Sequence, residues 1–240
     1  MKKNEEWVIS HFPDDFKNLT YVEPYCDNST VFLEKEKSVV EVINDKNSNL
    51  INFYKAIRDE YKEFQKRLNY QKFSESTFEK FSKLEIKDYI DIATKDFVLK
   101  KMSKNEEKQI FNLTKIKTAL WENSLKELPA IANRLQGTFI YNKDSIQVIN
   151  TFNFQDTLLY CKPPYLKENK VSKKVYTSEM KTEDHMNLSY LLQNFKGKVI
   201  LRGYASPLYN RLYKGWNLEK TKTNEQDKKE NKIEVIWKNY

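Results

Sequence analysis

"SVVEVIND", residues 38–45, leads directly into "KNSNLINFYKAIRDEYKEFQKRL", residues 46–68. The first stretch is a β-branched run that ends in an acid and reads as a buried strand. In the second, Leu50, Phe53, Tyr54, Ile57, Tyr61, Phe64 and Leu68 recur every three or four residues. That period places them on one face of a long amphipathic helix. A strand feeding a helix in this way is one half of a βαβ unit. The question is therefore whether the pattern continues along the chain.

It does, with an interruption. "LTYVE" (19–23) reads as a strand before the first unit, and "PYCDNSTVFL" after it as a turn opening a short helix. Residues 71–130 are polar and lysine-rich, with helical patterns such as "STFEKFSKL" and "KTALWENSLKELPAIANRL" and no strand signal. Strands return at "TFIYN" (138–142), "TLLYC" (157–161), "KVILRGY" (198–204) and the alternating "KIEVIWKNY" (232–240). Between them, "HMNLSYLLQNF" places Met186, Leu188, Leu191, Leu192 and Phe195 on a helix. "SPLYNRLY" opens another helix, with Ser206 as N-cap and Pro207 in the first turn. The expected fold is α/β: a Rossmann-like sheet with helices on both faces, built from residues 1–55 and 131–240 and interrupted by a helical insertion at 56–130.

In such sheets ligands bind beyond the carboxyl ends of the strands. Three places qualify: the turn after Glu23, the strand-end acid Asp45, and the loop Lys162-Pro163-Pro164-Tyr165. An acid in the position of Asp45 commonly holds ribose hydroxyls, although many such acids are turn residues only. The net charge of +8 points to an anionic partner, nucleic acid first. That signal is tempered by composition, because the cations are nearly all lysine and only Arg58, Arg67, Arg134, Arg202 and Arg211 are arginines. Cys26, Cys161, His11 and His185 make no metal-ligand spacing, so no metal is expected. The N-terminus lacks the apolar core of a signal peptide, and no stretch approaches a membrane span. The expectation is a cytoplasmic protein. "KTKTNEQDKKENK" (220–232) reads as a solvated hairpin loop.

With these positions laid out, the chain resembles the Dam-like class of DNA adenine-N6 methyltransferases, of bacterial and phage type. The resemblance rests on six segments in order: "WVISHFP…YVEPYCDNSTVFL", "EVINDKNSNLINFYKAIRD", "LQGTFIYNKDSIQVI", "LLYCKPPY", "VYTSEMKTEDHMNLSYLLQNFKGKVILRGY" and "LYNRLYKGW…EVIWKNY". It implies an S-adenosylmethionine site at Tyr25, Asp27, Asn28, Asp45 and Asp144, with Asp45 on the ribose and Asp144 at the adenine. It also implies a catalytic loop at Lys162, Pro163, Pro164 and Tyr165. The insertion at 56–130 would be the DNA target-recognition region.

The departures from the family pattern fall on the chemistry. The family's catalytic loop reads Asp-Pro-Pro-Tyr; its acid and a proline carbonyl accept hydrogen bonds from the amino group of a flipped-out adenine. Here the acid is Lys162, which has three donors and no acceptor. It also puts positive charge beside a nitrogen that becomes positive during transfer. The loss of one such contact costs ~3–4 kcal/mol, a factor of hundreds in rate. The family's loop of roughly Glu-Pro-Phe-x-Gly-x-Gly appears as Glu23-Pro24-Tyr25-Cys26-Asp27-Asn28-Ser29, without glycine. Asp27 and Asn28 are the residues able to adopt left-handed angles there. The family's Gly-Gly-Lys has no counterpart before Trp7, and its Ser-Gly-Tyr is Arg202-Gly203-Tyr204.

These features imply a degenerate member that binds no S-adenosylmethionine itself. It would support DNA binding and activity of an active methyltransferase partner in a heterodimer, as in a restriction-modification system. Two other readings stay open at this point: an active adenine-N6 methyltransferase with unusual motifs, and a stand-alone DNA-binding regulator or decoy. For single residues the alternatives are as follows. Lys162 is a phosphate contact or a solvated lysine, and Tyr165 stacks on a base or packs its own loop. His185 packs or caps a helix.

Overall fold

The computed structural model describes residues 2–68, 71–104, 110–166, 180–221 and 233–240, with side chains from residue 4. The proposed hairpin loop at 220–232 lies almost wholly outside the described residues. The chain divides into two compact units, residues 1–47 with 141–240, and residues 48–140.

The strands are β1 (Thr20–Glu23), β2 (Val40–Asn44), β3 (Phe139–Tyr141), β4 (Thr157–Cys161), β5 (Lys198–Tyr204), β6 (Asn217–Lys220) and β7 (Glu234–Lys238). They form one seven-stranded sheet in the order β3-β2-β1-β4-β5-β7-β6. β1 runs parallel to β2 and β4, and β4 to β5; β7 pairs antiparallel with β5 and β6. The strand order reverses between β1 and β4, so a crevice opens at their carboxyl ends. The sheet is mixed α/β and Rossmann-like, flanked by helices.

Strand parity sorts the first unit into two unlike faces. Val22, Val42, Leu159, Cys161, Val199, Leu201, Val235 and Trp237 point to one face and are buried. Helices α8 (Ser145–Thr151), α9 (Thr182–Gln193) and α10 (Pro207–Leu212) cover it with Val148, Leu188, Leu192 and Tyr209. Ser206 caps α10, its hydroxyl accepting from the Tyr209 N–H. Met186 lies on α9 but faces solvent, and Phe195 packs in the core just beyond the helix end. The opposite face carries Tyr21, Glu23, Glu41, Tyr160 and Arg202, all buried. Phe12, after α1 (Lys2–Ile9), packs on Tyr21 and Tyr160 there, and Lys35, after α2 (Thr30–Glu34), places its ammonium 4.2 Å from the Tyr21 ring.

The second unit is helical over most of its length: α3 (Ser48–Asp59), α4 (Tyr61–Leu68), α5 (Glu75–Ser82), α6 (Tyr89–Met102) and α7 (Lys115–Leu135). The single long helix expected over residues 50–68 is in fact two, broken at Glu60. The break lets both halves lay aromatics on one residue of α6. Phe53 stacks on Phe97 at 5.6 Å and 9°, and Phe64 meets it edge-on at 6.0 Å. An unbroken rod could not wrap a neighbour in this way. Arg67 anchors α4 by donating to Asp88 and Asp91, both at 2.7 Å.

Candidate active site

The residues expected at a cofactor lie around the loop after β1. Two residues in this loop without glycine have left-handed backbone angles, Asp27 (φ 42°) and Ser29 (φ 49°). These are the positions where the pattern Glu-Pro-Phe-x-Gly-x-Gly has its glycines. The expectation of Asp27 with Asn28 is thus half right: Asn28 is ordinary, and Ser29 carries the strain. Its hydroxyl is buried and makes no hydrogen bond, nor does it cap α2. L-residues pay for this geometry, serine more than aspartate, whose short polar side chain tolerates it.

Asp45 receives the Asp27 N–H on one oxygen (3.1 Å) and the Asn47 N–H on the other (2.9 Å). Burial nonetheless raises its pKa, with those backbone bonds opposing. Asn44, the residue before it, is fully buried and ties three segments together. Its amide donates to Pro24 O (3.0 Å) and Lys143 O (3.1 Å), and its oxygen accepts the Lys143 N–H (2.9 Å). Ser145 Oγ also donates to Pro24 O, and Asn142 donates to Asp45 O. Asp144 caps α8 by accepting from Ile146 N and is ion-paired with Lys46, which holds its carboxyl below the usual range. Tyr25 is half-buried and packs against the apolar core. Thus Tyr25, Asp27, Asp45 and Asp144 gather around one loop, and Asn28 lies exposed on it.

The loop expected to be catalytic follows β4. Lys162 is half-buried, Pro163 buried, and Pro164 and Tyr165 half-buried. The ring of Tyr165 packs on Tyr204 at the end of β5, with centroids 4.6 Å apart. Lys162 acts on Glu23, the last residue of β1, which is 2 % exposed. Burial pushes the Glu23 carboxyl up to about 8, against the opposing Tyr21 hydrogen bond (3.0 Å) and the charges of Lys162 and Lys35. Glu23 is therefore largely protonated at neutral pH. Arg202 is buried on the same sheet face and forks onto Glu234, Nε at 2.7 Å and Nη2 at 2.9 Å. The Lys162 ammonium forms no ion pair among the described residues.

The other singled-out residues have structural places. His185 is buried with Nδ1 2.8 Å from the Tyr209 hydroxyl, a packing role. Cys26 and Cys161 are free, buried thiols whose pKa values burial raises. Among the described residues no group of three or more His, Cys, Asp or Glu is placed to hold a metal, and no helix is long and apolar enough to cross a membrane.

Strands β2, β1, β4 and β5 run parallel in that order, with β3 beyond β2; β7 lies antiparallel between β5 and β6, and a proline-proline-tyrosine loop follows β4. The family model of the D12 class N6 adenine-specific DNA methyltransferases matches residues 3–230. The chain belongs to this family. No curated protein matches it. Lys162 opens the proline-proline-tyrosine loop that follows β4. Asn44 is the residue here that sequence reasoning passed over; Arg202 was noted only as a departure from Ser-Gly-Tyr, without its Glu234 partner. Arg202 was visible as an arginine inside an apolar strand, which requires a buried acid as partner. Asn44 was visible as an amide at a buried strand position, which must find hydrogen-bond partners.

Proposed function

We propose that this D12-class chain does not transfer methyl groups by itself and serves as the DNA-binding, supporting subunit of an active adenine-N6 methyltransferase. The observation that carries the reading is Lys162 at the head of the proline-proline-tyrosine loop. An exocyclic amino group needs an acceptor there, and an ammonium offers only donors. The electrostatics around it point the same way. Glu23 is held largely neutral and Arg202 is already matched by Glu234, so neither stands in for the missing acceptor beside Lys162.

The loop after β1 has no glycine, and the side chains of Asp27 and Ser29 take up room where a cofactor would approach the backbone. The reading therefore assigns no cofactor to this chain. Tyr165 packs its own loop against Tyr204 rather than serving as an open stacking platform. The core of residues 1–55 and 131–240 would provide the scaffold, and the helical residues 56–130 the contact to the DNA target.

The test is a three-way methylation assay with labelled cofactor: this chain alone, a glycine-loop, Asp-Pro-Pro-Tyr-bearing candidate partner alone, and both mixed. The expected result is no transfer by this chain and more by the mixture than by the partner. Micromolar binding of S-adenosylmethionine to this chain alone in calorimetry would overturn the cofactor half.

One observation favours a second reading, an active enzyme. The left-handed angles at Asp27 and Ser29 preserve the backbone course that glycines would give this loop. Transfer by the chain alone would establish it. Lys162→Asp discriminates further. Under the first reading it restores nothing, because an acid placed beside Glu23 leaves the loop of Asp27 and Ser29 unchanged.

A further inference from the structure

Helix α7 buries Trp121, Ser124, Leu128, Ala132 and Leu135 within the second unit. Its first two turns behave differently. Leu113, just before the helix, is 71 % exposed, Ile116 74 % and Leu120 51 %. Beside this ridge runs an open groove of about 450 Å³ lined by Leu113, Thr114, Lys115, Thr118, Ala119 and Glu122. Scattered exposed apolar residues are ordinary, but a contiguous ridge on one helix marks a contact surface.

The charges beside the ridge say what fits it. At 100° per residue, Ile116 and Ala119 lie along the middle of the exposed face. Leu120 forms one edge of that face, with Leu113 exposed just before the helix; Lys115 and Glu122 form the other. Lys115 and Glu122 are seven residues apart, two turns and ~10 Å along the axis. Neither makes an ion pair among the described residues. When two copies of a helix pack antiparallel about a two-fold axis, each edge meets the same edge of the other copy with its direction reversed. Opposite charges seven residues apart on one edge then pair twice, Lys115 of each copy with Glu122 of the other. The opposite edge brings the two Leu120 side chains together, and Ile116 sits between Ala119 and Asn123 of the facing helix. The surface is complementary to itself.

We propose that the first turns of α7 are a self-association surface, through which two copies of this chain pair antiparallel about a two-fold axis. The ridge is small beside the roughly 800 Å² per partner of a standard interface. The expected dimer is therefore weak, with a dissociation constant on the order of tens of micromolar.

Sedimentation velocity of the full chain over about 1–300 µM tests it, with no partner and no DNA present. The expected result is a concentration-dependent shift from monomer to dimer. Leu120→Glu, an exposed position, should leave the circular dichroism unchanged and hold the chain monomeric over that range. Lys115→Glu should weaken the dimer about tenfold, and the exchange Lys115→Glu with Glu122→Lys should return it to within about threefold of the original. A wild-type chain that stays monomeric at about 300 µM overturns the inference. So does a dimer that survives Leu120→Glu, or a charge exchange that fails to restore what Lys115→Glu lost. The inference is independent of the methyltransferase-partner reading: a chain monomeric alone that still stimulates a partner would sink only the dimer.

Discussion

Glu23 holds its proton because the fold gives its carboxylate one hydroxyl and almost no water. Its pKa is about 8 against an ordinary 4.5. Between those values the folded chain keeps a proton that the unfolded chain has lost. Stability therefore falls as pH rises through that window and levels off above about 8. Glu23→Gln keeps the shape and still accepts from the Tyr21 hydroxyl. Denaturant unfolding at a series of pH values should show a flatter profile for this variant between about 5 and 8, with the gain over wild type largest at the alkaline end. Lys162→Ala argues the same point from the other side. Removing an ammonium that favours the ionised carboxylate should move the upper end of the Glu23 window to higher pH. If the profile is unchanged in both variants, Glu23 is not the group that titrates.

At the scale of the element, the loop between β1 and α2 combines a strained course with a buried polar knot. Ser29→Gly should stabilise the protein by ~1 kcal/mol, since it relieves a left-handed residue and removes a buried hydroxyl without a partner. Ser29→Ala removes the hydroxyl but keeps the strain, so the difference between the two variants in thermal or denaturant unfolding isolates the backbone cost. Asn44→Ala would leave the Lys143 N–H and carbonyl short of partners in a buried site and the Pro24 carbonyl with Ser145 alone, costing ~2–4 kcal/mol. How far these elements could be read from sequence follows from what each one buries. β4 and β5 are buried along nearly their whole length, and "TLLYC" and "KVILRGY" match their limits residue for residue. β6, Asn217–Lys220, is a mostly exposed edge strand with the polar sequence "NLEK", held in the sheet by pairing with β7, and carried no apolar signal. The break at Glu60 was hidden because the apolar period runs straight across it. Only the packing on Phe97 shows why the chain turns there. The site divides in the same way. Lys162 and the missing glycines stand out in one dimension, whereas the left-handed Ser29 and the neutral Glu23 are products of tertiary burial.

At the scale of the whole molecule, the same chain combines a lysine at the head of the loop after β4 with an overall charge of +8, more of it in the unit of residues 48–140 than in the other. Charge of this kind gives DNA affinity without sequence information, through neutralised phosphates and released counterions. If the helical unit is the DNA-contacting part, binding of a duplex should weaken linearly in log–log terms as salt rises, with a slope of ~−0.9 per phosphate contacted. Fluorescence anisotropy between about 50 and 200 mM salt would measure it. Replacing two exposed lysines of residues 48–140, Lys83 and Lys87, with Gln should lower the slope in proportion to the phosphate contacts they make, whatever the DNA sequence. Lys162→Gln should leave the slope unchanged, because that half-buried ammonium lies over the crevice beside Glu23 rather than on the charged outer surface. A slope that drops with Lys162→Gln and not with the lysines of residues 48–140 would move the DNA contact from the helical unit to the strand ends. It would also recast Lys162 as a phosphate ligand, and the retained loop around it as a binding site in its own right.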